Sequence, residues 1–194
     1  MTSNNRRSSG VLGLDPVIDG GFPRGTTIIV MGSPLSGVDL MARQFWKMGD
    51  EGGAYLMIDS GIEEGMIDAR ELDPGQITSL FSGQRIVVDS LSSIILRHGI
   101  EAGLSCLSSA RDAVAQTGAN VMFILYTNIH AAQEEIRLHR MADVVIELRE
   151  AIFVTEVERQ LAVRKMKNNP VTKRLIPFNI TEKGVELSTT SRVV

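Results

Sequence analysis

The sequence predicts an α/β domain built on a mostly parallel central sheet, with an antiparallel extension at its C-terminal end. Three observations predict it. Short apolar, β-rich runs recur along the chain, at residues 26–31, 54–59, 86–89, 121–126 and 144–148. Helical patterns fall between several of these runs, and strand–helix–strand alternation implies parallel crossovers. Beyond residue 150 the helical patterns stop, and the strand patterns are joined by short turns.

Each element has its own signal. Thr26 to Met31 is continuous apolar and β-branched sequence ending at Gly32, as a strand buried on both faces should be. A glycine-bearing turn leads into a helix pattern over 40–48. Gly52-Gly53 break the chain before the second strand, 54–59. The stretch 61–84 is polar and interrupted by Pro74, Gly75 and Gly83, leaving room for one short helix near 63–72. Ile86-Val87-Val88-Asp89 is a third strand ending on a carboxylate. Leu104, Leu107, Ala110 and Val114 recur at helical spacing and predict an amphipathic helix over 101–117. A strand at 121–126, a helix at 131–141 and a strand at 144–148 complete the alternation. Residues 152–157 and 160–166 flank Glu158-Arg159 and read as a hairpin. Residues 175–180 and 185–187 flank Glu182-Lys183-Gly184 and read as a second one.

Composition excludes several classes. The hydrophobic fraction of 43% and the charged fraction of 22% are ordinary for a globular domain with a core. A net charge of −3 supplies no global attraction to nucleic acid or anionic membrane. The single cysteine, Cys106, reads as a small apolar helix residue of a reduced, cytoplasmic protein. Residues 1–9 are polar and read as a flexible arm, with 10–194 as one domain. No apolar run is long enough for a membrane span.

The turn after the first strand is the candidate site. Backbone N–H groups and a helix N-terminus attract anions at such a corner. The turn reads Gly32-Ser33-Pro34-Leu35-Ser36-Gly37-Val38-Asp39. A working phosphate loop reads G-x-x-x-x-G-K-[ST]. Both glycines are in register, but Val38 takes the lysine position and Asp39 the hydroxyl position.

The whole pattern resembles the KaiC/RadA branch of the RecA superfamily. The segment from Gly13 through Leu14-Asp15 and Gly20-Gly21 to Pro23 and Gly25 resembles that family's entry segment. Ile86-Val87-Val88-Asp89-Ser90 resembles its Walker-B strand. Met141-Ala142-Asp143, followed by Val144 to Leu148, resembles a later strand. Val163-Arg164-Lys165-Met166-Lys167 resembles a hairpin strand that, in relatives, reaches ATP held by the next subunit. The resemblance implies a RecA-like, three-layer P-loop fold, Mg-ATP between subunits, and ring or filament assembly. It implies a metal role for Asp89, with Asp39 as an added carboxylate, and trans contacts from Arg164, Lys165 and Lys167. Asp59 and Ser60 stand where relatives carry catalytic glutamates.

Elementary energetics then argue against the family chemistry. The backbone cradle and helix dipole still favour a phosphate by about 1–2 kcal/mol. Without the lysine, a charge-assisted contact of roughly 1.5–3 kcal/mol is absent. A carboxylate about 4 Å from a phosphate adds roughly 4 kcal/mol of repulsion at an effective dielectric near 20. Lost attraction and added repulsion exceed the residual cradle. The expectation is a non-catalytic relative, with Asp59 and Asp89 vestigial and no cofactor beyond weakly held Mg-ATP. Its expected partners are other copies or a paralogous ATPase. The alternatives are an atypical ATPase completed by basic residues in trans, and a DNA-repair accessory module.

The remaining signals are blander. His130 with Glu134, and His139 with Glu135, read as solvated helix pairs. Trp46 reads as a packing residue. Arg164, Lys165, Lys167, Lys173 and Arg174 form the densest basic stretch, without the interleaved aromatics that single-stranded nucleic acid favours.

Overall fold

The structure is a computed structural model that describes residues 5–172 and 174–188. In chain order the elements are β1 (Arg6–Arg7), α1 (Leu14–Val17), β2 (Phe22–Pro23), β3 (Thr27–Gly32), α2 (Val38–Lys47), β4 (Tyr55–Met57) and β5 (Ile67–Asp68). Then follow α3 (Pro74–Ser79), β6 (Arg85–Asp89), α4 (Leu91–His98), α5 (Ile100–Thr117), β7 (Asn120–Tyr126), α6 (Ala132–Met141), β8 (Val144–Ile152), β9 (Val157–Met166), β10 (Ile176–Thr181) and β11 (Gly184–Leu187).

β3 shows why these sequences make a central sheet. All six of its residues are buried. Successive side chains point to opposite faces, so one apolar strand feeds two cores. Ile28 and Val30 join a cluster containing Met41 and Phe45 of α2. Ile29 and Met31 join a second cluster containing Leu107 and Ala110 of α5. Helices therefore cover both faces, giving the three-layer RecA-like arrangement.

The nine-stranded sheet has the order β11-β10-β9-β8-β3-β7-β6-β4-β5. The segment from β8 to β5 is parallel. β9, β10 and β11 add antiparallel beyond β8. The predicted edge extension is present.

Four local expectations are corrected. The helix expected near 63–72 lies instead at α3, where Asp73 and Gln76 form a reciprocal capping box and Pro74 opens the helix. Segment 91–98, to which the sequence assigned no element, is α4, capped by Ser90 accepting from the Ser93 amide at 3.2 Å. The first hairpin does not turn at Glu158-Arg159. Both residues lie in β9, and the chain reverses between Ile152 and Val157.

The fourth correction concerns the arm. Residues 5–9 are part of the fold: Arg6 and Arg7 pair with Pro23 and Phe22. Arg7 is 1% exposed. Its guanidinium donates to Glu51 Oε2 at 2.8 Å, Gln84 Oε1 at 2.8 Å, Asn120 Oδ1 at 2.5 Å and the Gly118 carbonyl at 3.1 Å. A charge so buried is tolerable because every direction of its fork meets an acceptor. The rest of the expected arm, residues 1–4, and Lys173 of the basic stretch lie outside the described residues.

Candidate functional site

The candidate site sits at the C-terminal ends of β3 and β6, where open α/β sheets place their ligands. Gly37 ends the turn at φ +90° and starts α2. This left-handed geometry explains why that position is glycine. Gly32 is needed for space: a Cβ there would lie 2.3 Å from Ser36 Oγ and 2.6 Å from the Leu148 carbonyl.

The interior of the turn is bonded to itself. The Ser36 amide donates to the Ser33 carbonyl at 3.1 Å, and Ser36 Oγ donates to the same carbonyl at 2.7 Å. The Leu35 amide donates to Ser33 Oγ at 3.2 Å, and that hydroxyl donates to Glu150 Oε1 at 2.8 Å. Ser36 and Val38 are fully buried, while Leu35 is 76% exposed. Pro34 supplies no N–H at all. Val38 belongs to the core rather than to the mouth of the turn.

Asp89 ends β6 and is 3% exposed. The Tyr55 hydroxyl donates to its Oδ2 at 2.6 Å. Its Oδ1 is buried with no hydrogen-bond partner among the described residues. Burial pushes the carboxyl up to about 6, against the Tyr55 hydrogen bond that lowers it; Asp59 and Asp39 raise it further. The folded-state pKa thus exceeds the ordinary value near 3.8. The native state holds a proton that the unfolded chain has lost, so stability falls as pH rises through roughly 4 to 6. Asp89→Asn is expected to flatten that decline and to raise stability at pH 8 by up to about 3 kcal/mol. Urea unfolding of both proteins at pH 5 and pH 8 checks it. Equal pH dependence in the two proteins contradicts the assignment.

Asp59 is held at the same corner. Ser90 Oγ donates to its Oδ2 at 3.0 Å, and Ser93 Oγ is in very short contact with the same oxygen. Both hydroxyls that approach this carboxylate come from the start of α4. Among the described residues, no group of three or more His, Cys, Asp and Glu side chains is arranged to hold a metal ion. Asp39 and Asp89 share an electrostatic neighbourhood, but the structure does not assemble them with others into a metal centre.

The residues expected to act in trans are tied up within the chain. Arg164 pairs with Glu147 at 2.9 Å. Lys167 pairs with Asp143 at 3.0 Å. Lys165 Nζ donates to the carbonyls of His139 at 3.0 Å, Arg140 at 2.9 Å and Ala142, closing the C-terminal end of α6. Burial also lowers the Lys165 pKa.

Several participants escaped the sequence. Tyr55 reads as one more apolar strand residue, and its hydroxyl acquires meaning only because β4 lies beside β6. Glu150 lies 117 positions from Ser33. Arg43 pairs with Glu63 across the same neighbourhood; its position on the α2 face was visible, its partner was not. His130 precedes α6 and meets Ser92 Oγ at 2.9 Å, so it is not the solvated helix pair that was expected. His139 does lie on α6 with Glu135, but it is half-buried and its pKa is lowered by burial. Trp46 packs edge-on to Tyr55, with centroids 5.3 Å apart. Cys106 is buried, its thiol pushed up to about 12, as an inert core residue.

A family model described as "ATPase: KaiC" matches residues 70–192, more than half of the chain and including Asp89 and the C-terminal strands. The chain belongs to the KaiC family. Within it, this KaiC-family chain is 23% identical to UPF0273 protein PH0284 of Pyrococcus horikoshii, over 93% of the chain and 92% of that protein. It is 22% identical to UPF0273 protein PF1931 of Pyrococcus furiosus over the same shares. The crystal structure of the KaiC-like protein PH0186 from Pyrococcus horikoshii superposes with a TM-score of 0.77 at 21% identity, covering 94% of this chain and 98% of that one. At that identity the likeness establishes the RecA-like fold. No helix among the described residues is long and apolar enough to cross a membrane.

Proposed function

We propose that this chain is a cytoplasmic, non-catalytic member of the KaiC family, acting through contacts with copies of itself or with a paralogous ATPase. One observation carries the reading: the turn's own amide and hydroxyls and one oxygen of Asp89 are already bonded inside the protein, leaving Asp89 Oδ1 as the acceptor there without a partner among the described residues. The Ser36 amide is committed to Ser33, and the Asp89 Oδ2 is committed to Tyr55. A triphosphate also needs a cation at the start of the helix, where buried Val38 stands. It would meet Asp39 in the first turn of α2 and Glu150 against Ser33. Among the residues present, the donor set does not fit the ligand, and no hydrolytic step is assigned to it.

Family membership keeps an ATPase reading in play, completed by Lys165 or Lys167 of another copy. That reading requires whichever lysine acts to leave its present partner, the α6 carbonyls for Lys165 or Asp143 for Lys167. Two measurements test the proposal together. Calorimetric titration with Mg-ATP is expected to show no binding tighter than the millimolar range, and phosphate release is expected to stay at background. Micromolar binding, or release that Asp89→Asn abolishes, refutes it.

A further inference from the structure

The sheet face that carries α5 and α6 has an open cleft that neither the corner nor the core uses. It encloses about 530 Å³ between α6 and the strands β8 and β9, a size typical of small-molecule sites. Met31 and Val145, from the core cluster on that face, form its apolar floor. Ile136 of α6 stands on its wall and is 59% exposed.

The polar lining is unevenly committed. Four cations and two carboxylates face the cleft. Arg149 and Arg164 both pair with Glu147, at 2.5 and 2.9 Å. Lys165 is held by the carbonyls that end α6. Arg140 is exposed, and its guanidinium has no partner among the described residues. Beside it, His139 Nε2 is buried with no hydrogen-bond partner among the described residues. Burial lowers the His139 pKa, so the ring is neutral at pH 7. A buried ring nitrogen without a partner costs free energy that a ligand oxygen would recover.

This lining selects a ligand class. One uncommitted guanidinium over an apolar floor suits one anionic group carried on an apolar body. A polyphosphate suits it poorly, because it needs several free donors and would meet both Glu135 and Glu147. Charge also sets the orientation. Towards Ser33 the cleft adjoins a hollow of about 370 Å³, where Glu150 joins those two carboxylates and Arg149 is the cation. The anionic group therefore lies at the α6 end, on Arg140 and towards His139.

We infer that the α6 cleft binds a monoanionic amphipathic small molecule, a carboxylate or sulfonate on an apolar body. The site lies within one chain. It requires no nucleotide and is independent of the reading given to the 32–39 corner.

Fluorescence titration of the full chain with anilinonaphthalene sulfonate, a monoanion on an aromatic body, tests the site. Saturable binding is expected, displaced by phenylbutyrate and not by the neutral phenylbutanol. Arg140→Glu and Ile136→Glu are each expected to weaken it by at least about tenfold, the loss of one charge-assisted contact or of the apolar wall. Circular dichroism checks that both are folded, and either one suffices should the other lose its fold. The apolar hairpin tip, where Phe153 and Val154 are exposed, is the competing place for such a probe. Phe153→Asp/Val154→Asp is expected to leave the titration unchanged, and so is millimolar Mg-ATP. The inference is overturned by a titration without saturation, or by folded cleft variants that bind as wild type does. Loss of binding in the tip variant, equal displacement by phenylbutanol, or displacement by Mg-ATP overturns it too.

Discussion

Arg7→Ala is expected to destabilise the protein by about 3–5 kcal/mol, the range for removing one partner of a buried ion pair. For a chain of this size that lowers the melting temperature by roughly 6–20 °C. The reason is what the substitution leaves behind. The Asn120 and Gln84 side chains and the Gly118 carbonyl, 77 or more positions away in sequence, all accept from this one guanidinium. Each would be left in a poorly solvated position without its donor. Glu51 would keep Arg24 at 2.6 Å, and Arg85 would stay near it, so the loss is not total. The same pair gives the pH signature. Hydrogen bonding from Arg7, then from Arg24, holds the Glu51 carboxyl at about 2, below its ordinary value near 4.5. A lowered acid pKa contributes stability that is present above the unfolded value and lost as pH falls toward 2. The difference between wild type and Arg7→Ala should therefore be constant above pH 5 and shrink below pH 4. A melting temperature within 2 °C of wild type at pH 7 would show that β1 is dispensable.

Asp39→Ser is expected to produce the largest change in nucleotide affinity available from one substitution. It removes a carboxylate from the first turn of α2 and places a hydroxyl where a working loop has one. The repulsion relieved is roughly 4 kcal/mol for a pair about 4 Å apart at an effective dielectric near 20. Asp39 is half-exposed, and screening reduces this to about 2–3 kcal/mol. A gain of about 30- to 150-fold in Mg-ATP affinity follows. Calorimetry of both proteins reads it directly. Phosphate release should not follow, because the substitution does not supply the lysine that phosphoryl transfer needs at the start of the helix. Identical titrations for the two proteins would mean that the closed turn around Ser33 and Ser36, not the charge, excludes the ligand. Val38→Lys is a poorer test, since Val38 is fully buried and a lysine there would cost core packing as well.

The fold was legible because its central strands are buried on both faces. A strand such as β3 must be apolar at every position, and the parallel alternation announces itself without any partner being known. The places where the reading slipped share a different cause. Glu158 and Arg159 look like turn residues because they are polar. They are polar because the ribbon around them meets water on both sides, while the true reversal carries apolar residues. In 61–84 the cap signal at Asp73-Pro74 was present in the sequence, but the charged run before it has equally good helix propensity. Arg7 looked like part of a solvated arm because arginines in a polar stretch near a terminus ordinarily are exposed.

At the candidate site the division is sharper. The sequence by itself determined which chemical groups stand at the corner: valine for a cation, aspartate for an alcohol, two glycines in register. Composition and order along the chain suffice for that, because the turn is a local structure. Only the tertiary structure decided what those groups touch. Tyr55 reaches Asp89 because two strands lie side by side, and Glu150 reaches Ser33 from a hairpin far along the chain. Lys165 caps a helix in its own chain. Hydrogen bonds are short-ranged, and long-range pairing is a property of the folded sheet, so no reading of neighbours in sequence could have supplied them.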